Sequence, residues 1–165
     1  EPECPERVGF FDPEIQEAIA TCKKGEVVVG KDAFGRVIVK ELGDSETPHW
    51  ALSVGTGGGK SAFCQMVIAQ LIRQGYFIIP ADVKRVSVEN YIGLPGVFIY
   101  NDPKNPQDMR AAIEWFKDEI DARAAVSESD RSIEFPGMLL VVEESNEFAD
   151  ISRDWWDDNR KTSKD

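Results

Sequence analysis

The chain has 165 residues, 42% of them hydrophobic, and a formal net charge of −11. That is enough chain for one domain with a sizeable core, and too apolar a composition for a disordered one. The charge speaks against a protein whose whole surface grips nucleic acid, because phosphate contact favours Lys and Arg, so any such contact must be local or lie in residues outside this chain.

No apolar run approaches the roughly 20 residues that a membrane helix needs, and the opening residues do not form a signal-peptide pattern. Three unpatterned cysteines, Cys4, Cys22 and Cys64, suit a reducing compartment rather than a disulfide framework or a zinc site. His49 is the only histidine, which speaks against a histidine metal site or a His-based triad. The chain opens at Glu1 and ends on the polar "RDWWDDNRKTSKD", and is read as a piece of a longer gene product.

In chain order, "FDPEIQEAIATCKKGE" predicts a short helix with Asp12 as cap, Pro13 in its first turn and Gly25 beyond its end. "EVVVGKDAFGRVIVKEL" holds two β-branched runs around a glycine-containing turn and predicts a hairpin, which could simply cover the core. These features make residues 1–44 an N-terminal segment, with the core expected over 45–165.

"HWALSV" predicts a buried strand. Residues 61–74 predict a helix with Phe63, Met66, Val67, Leu71 and Ile72 inward, ended by Gly75. "YFIIPADV" and "GVFIYN" predict two more strands. Asn105 then caps a helix with Pro106 first, whose Met109, Ile113, Phe116 and Ile120 form one apolar stripe. "GMLLVVEE" predicts a last strand ending in two acids. Strands alternating with helices, and apolar on both faces, predict an α/β fold with a mostly parallel sheet flanked by helices.

The stretch "VGTGGGKSA" carries the chemistry. The strict phosphate-loop pattern G-x-x-x-x-G-K-[ST] places a glycine where this chain has Val54. Gly55, Thr56, Gly57, Gly58 and Gly59 nevertheless lie between a predicted strand and a predicted helix. There, backbone N–H groups and the helix N-terminus can face one phosphate, and Val54 is tolerable if Gly55 makes the turn one residue later. Gly55 through Lys60, Ser61 and Ala62 are therefore the candidate nucleotide contacts. Lys60 would reach the β/γ-phosphates and the Ser61 hydroxyl would hold Mg²⁺. The bland alternative is a flexible glycine loop with an incidental Lys-Ser.

An apolar strand ending in acid completes such a site, and "LLVVEE" supplies it. Glu143 would serve Mg²⁺ through water, and Glu144 would orient or deprotonate the attacking water. Glutamate at the first of these positions departs from the usual aspartate.

The ordered blocks resemble the FtsK/SpoIIIE-type motor ATPases from about Val27 to Asp150. "VVVGKDAFGRVIVKEL" is similar to the hairpin before that family's cradle, and "PHWALSVGTGGGKSAF" to its strand and Gly-rich loop. "YFIIPADVKRVSVENYIGLPGV" resembles its second strand, Asp-x-Lys step and Tyr-x-Gly-[IL]-Pro. "AAIEWFKDEIDAR" resembles its Glu-[MI]-x-x-Arg helix, and "LLVVEESNEFAD" its acidic strand.

The resemblance implies a RecA-like P-loop core, incomplete here at its C-terminal side, that binds and hydrolyses ATP with Mg²⁺. It implies a ring, usually a hexamer, that moves double-stranded DNA. It implies a cytoplasmic location, with any membrane association carried by parts outside this chain. Two alternatives stay open: a type VII secretion-like ATPase that moves polypeptide, and a non-hydrolysing nucleotide-binding ring module. Asp82, Lys84 and Arg85 fall on the family's post-strand step. Arg85 and Arg123 are candidates for an arginine acting on a neighbour's nucleotide. Trp155 and Trp156, amid acids, read as a docking pair.

Overall fold

The computed structural model describes residues 8–43, 49–55, 57–82, 89–98, 106–143, 146, 149–150, 152–154 and 156–157. The chain divides into two compact units, Glu1–Gly75 and Tyr76–Asp165.

The first unit holds helix α1 (Pro13–Thr21), strands β1 (Glu26–Lys31) and β2 (Val37–Glu41), and helix α2 (Lys60–Arg73). Proline opens α1, where its missing N–H costs nothing. Asp12 stands at the cap position, but its carboxylate accepts a hydrogen bond from the Gly9 N–H at 2.9 Å and gives the helix no side-chain cap. The expected cap thus folds back onto the preceding turn.

The predicted hairpin is present. β1 and β2 pair antiparallel, with Glu26 opposite Glu41 and a register shift between Val28 and Gly30. Asp32 organises the turn. Its carboxylate accepts from the Phe34 and Arg36 N–H groups, each at 2.9 Å, and from the Arg36 side chain at 2.7 Å. That bonding holds the Asp32 carboxyl below its ordinary range, with the Arg36 side chain the largest cause. Ile15, Ile19 and Val28 form a small core, covered by Val8, Phe10, Ala18, Cys22 and Val37. Lys31 pairs with Glu14 and ties the hairpin to α1.

"HWALSV" corrects the sequence reading. Residues 49–55 form no strand, and Trp50 and Val54 are 39% and 43% exposed. A strand needs a neighbour to take its backbone hydrogen bonds. Within this unit β1 is already flanked by β2 on one side and by side chains of α2 on the other.

The second unit contains strand β3 (Phe77–Asp82), a short 3-10 turn (Glu89–Tyr91), helix α3 (Pro106–Ser129) and strand β4 (Met138–Glu143). β3 and β4 pair in parallel, in register from Phe77–Met138 to Asp82–Glu143. Parallel neighbours need a long crossover, and α3 lies within it. The expected strand "GVFIYN" begins beside β3. Ile78 donates to the Gly96 carbonyl at 2.8 Å and Phe98 to the Ile78 carbonyl at 2.9 Å. Its remainder, and Asn105, lie outside the described residues. The fold is thus mixed α/β, with one antiparallel hairpin and one parallel pair among the described residues.

α3 starts at Pro106 as expected, but its apolar stripe is buried only at the start. Met109 and Ala112 are buried, with Met109 packed on Ala81 and Leu140, while Ile120 is 48% exposed. The reason is length. A helix of 24 residues runs about 36 Å, whereas strands of 6 residues run roughly 20 Å. The far half of α3 outruns the sheet and carries i,i+4 ion pairs, Lys117–Asp121 and Glu119–Arg123 among them. No described helix is long and apolar enough to cross a membrane.

Candidate functional site

The glycine-rich turn lies in the first unit and leads straight into α2. Gly58 donates its N–H to the Gly55 carbonyl at 2.9 Å, closing a tight turn. A Cβ on Gly58 would stand 2.9 Å from that same carbonyl and 3.2 Å from the Val54 Cβ, so this position has no room for a side chain. Val54, the departure from the strict pattern, therefore forms one wall of the turn and does not prevent it. Gly59 caps α2 in the left-handed region at φ +84°, a conformation other residues rarely adopt.

The first intrahelical bond of α2 is donated by the Phe63 N–H to the Gly59 carbonyl at 2.9 Å. The N–H groups of Lys60, Ser61 and Ala62 lie ahead of it, at the positive end of the helix dipole. Gly55, Gly57, Gly58 and Gly59 are exposed, and Lys60 and Ser61 are half-buried. A Cβ on Gly55, Gly57 or Gly59 would meet nothing within 4 Å, so the turn presents open backbone. This arrangement fits an anionic group approaching main-chain N–H donors, with a lysine and a hydroxyl beside it. Thr56 lies outside the described residues.

The acidic end lies in the second unit. Glu143 is the last residue of β4 and only 6% exposed. The parallel register sets it opposite Asp82, the last residue of β3. Two acidic residues thus occupy adjacent positions at the C-terminal tips of neighbouring strands, where ligands of open α/β sheets commonly bind. The pairing of Asp82 with Glu143 is not visible in the sequence, where the two are far apart. Glu144, Lys84 and Arg85 lie outside the described residues.

Arg123 is engaged within its own unit. Its guanidinium donates to Glu119 at 2.8 Å and to the Pro136 carbonyl at 2.6 Å, and lies over the Phe135 ring at 5.2 Å. Trp156 is exposed, and Trp155 lies outside the described residues.

Sequence reasoning missed Gln70 and Gln74. The inward side of α2 is Val67, Ile68, Gln70 and Leu71. The signal was a polar residue inside a buried stripe, repeated four residues later, and a search for apolar periodicity passes over it.

Compared with known proteins, the chain is 28% identical over 103 residues to the DNA translocase FtsK of Tropheryma whipplei (strain TW08/27). The match covers 59% of this chain and 13% of that relative, so it spans a small part of a much longer protein. This is a distant similarity to a DNA translocase. No protein-family model and no solved structure matches the chain.

Proposed function

We propose that the chain is the nucleotide-binding part of an ATP-driven DNA translocase of the FtsK/SpoIIIE kind, built on a RecA-like core. The observation that carries this reading is the exposed glycine turn opening directly into Lys60 and α2, in a chain similar to a DNA translocase. In this reading the N–H groups around Gly57 to Ser61 cradle the phosphates of ATP, and Lys60 sets its charge against the β/γ oxygens. Bound Mg²⁺ would supply charge neutralisation at the phosphates, with the Ser61 hydroxyl and Glu143 as its protein partners. Glu144 orients the attacking water and accepts its proton. The complete protein works as a ring, a hexamer in the simplest case, around double-stranded DNA.

The net charge of −11 fits this reading if the DNA-gripping cations lie outside this chain. The test is ATP turnover by the full-length protein with linear duplex DNA across a salt series. The reading expects stimulation at low salt that fades as salt rises, because each phosphate contact releases counterions. Glu144→Gln should keep ATP binding and lose hydrolysis, since an amide cannot accept the proton. Rings that hydrolyse ATP but ignore DNA at low salt would favour a polypeptide cargo. Rings that bind ATP without hydrolysing it would favour an assembly module.

A further inference from the structure

Helix α2 meets the hairpin through two side-chain amides. Gln70 Oε1 accepts the Val28 N–H at 2.8 Å, and Gln70 Nε2 donates to the Val28 carbonyl at 3.0 Å. One turn later, Gln74 Oε1 accepts the Gly25 N–H at 2.7 Å, and Gln74 Nε2 donates to the Glu26 carbonyl at 2.8 Å. Each glutamine takes one backbone donor and one backbone acceptor, Gln70 both from Val28 in β1 and Gln74 from Gly25, just before β1, and from Glu26. Together they stand where a further strand would stand.

We propose that Gln70 and Gln74 are positioning residues of the nucleotide cradle, fixing the rotation of α2 about its axis and hence the direction in which Lys60 and the first-turn N–H groups point. This inference rests on the cradle reading and adds how the cradle is aimed. Val67 is the first fully buried residue of α2, about 10 Å along the helix from Lys60, and the residues between them are mostly half-buried. Apolar burial at Val67, Ile68 and Leu71 holds the helix down but is non-directional. A shift of the helix by one residue would turn its N-terminus by about 100° and bring Ile68, Ala69 and Ile72, also apolar, to the places of Val67, Ile68 and Leu71. Four hydrogen bonds from two residues at i,i+4 spacing do not survive such a turn, because their angles and reach are narrow. The Gln70 amide also donates to the Met66 carbonyl at 3.2 Å, which fixes its own orientation. Gln70 is buried, so its contacts are sheltered from competing water.

A sealing role for the glutamines, in which they only satisfy the β1 edge, predicts lower stability and unchanged affinity once folded. The positioning role predicts a loss of affinity in the folded state. The experiment is calorimetric titration of the chain with Mg²⁺-ATP, for the parent, Gln70→Met and Gln74→Met. It is run at a temperature where circular dichroism shows each protein folded. The expected result is a Kd raised about fivefold or more by Gln70→Met, the range of a typical coupling between sites, and raised less by Gln74→Met. Hydrogen exchange of residues 57–63 in the ATP-bound state should quicken in both. If Gln70→Met does not fold, the half-buried Gln74→Met decides. Folded variants with parental Kd overturn the positioning role while leaving the cradle reading intact. A parent chain that fails to bind ATP overturns both.

Discussion

The two long helices, α2 and α3, follow the same periodic rule and use it differently. α2 is the shorter of the two, and its inward face mixes Val67, Ile68 and Leu71 with the buried amide of Gln70. Its polar side chains bond backbone at a strand edge, which is directional and sheltered. α3 is long, and apart from Arg123, which reaches the Pro136 carbonyl, it carries side-chain pairs such as Arg110–Glu114 and Lys117–Asp121 along an exposed face. Such surface pairs contribute little each, typically well under 1 kcal/mol. The difference teaches that a helix is aimed by what its buried polar groups touch, while its exposed ion pairs chiefly keep it soluble and helical.

The largest effect that could break this contrast is expected at Ile68, which is 1% exposed. Ile68→Ala should cost about 2–5 kcal/mol by lost transfer energy and a residual cavity. Denaturant unfolding followed by circular dichroism would measure it. A cost below about 1 kcal/mol would mean that α2 is not anchored by that face.

Next comes Gly137, just before β4. A Cβ there would fall inside the van der Waals envelope of the Tyr76 ring, while the Gly137 carbonyl accepts the Phe77 N–H at 2.8 Å. Gly137→Ala should destabilise the β3–β4 pair by about 1–3 kcal/mol, the usual cost of overpacking. Tyr76→Ala in the same background should recover part of it by making room. An additive double mutant would show that the ring is not the obstacle.

Smaller again is the pH response of the hairpin turn. Asp32 has its folded pKa lowered, chiefly by the Arg36 side chain. A lowered folded pKa contributes stability that is fully present above the unfolded value of about 3.9 and is lost as pH falls through the folded value. Asp32→Asn should therefore lower the hairpin's stability slightly near neutrality, where the ionised carboxylate contributes in full, and flatten its acid limb below about pH 4. Exchange rates of the Phe34 and Arg36 amides against pH would report it. A variant with the parental acid limb would show that other carboxylates set it.

The smallest effect is expected at Ile120. Although it belongs to the stripe that periodicity marks as core, Ile120→Ala should change stability by no more than about 0.5 kcal/mol, because the site is half exposed. A loss as large as that of Ile68→Ala would erase the contrast between the two helices.

Much of the local structure was legible because it depends on near neighbours. Pro13, the β-branched runs around Gly35, and Pro106 each mark an element that is present. Parallel neighbours β3 and β4 were legible as apolar strands, but their register, and with it the meeting of Asp82 and Glu143, depends on a crossover that no local pattern encodes. "HWALSV" failed because its composition states only that it could be a strand, while the edge of β1 in its own unit is held by glutamine side chains. Ile120 failed because periodicity records the face of a helix and not how far the sheet beneath it extends. At the candidate site, the glycines and Lys60 were legible because close backbone approach has few chemical solutions. The Gln70–Val28 contact was not, because one polar residue in an apolar stripe carries no partner's address.

The central claim is that the turn before α2 holds nucleotide phosphate. Thermal unfolding of the chain with and without saturating Mg²⁺-ATP, for the parent and for Lys60→Ala, tests it most directly. The account predicts a clear rise in the parent's melting temperature, equivalent to about 2.7 kcal/mol at a ligand concentration one hundred times Kd. It predicts that Lys60→Ala loses most of that rise, because a cation facing two phosphates is gone. No rise in the parent, or the same rise in Lys60→Ala, would contradict it.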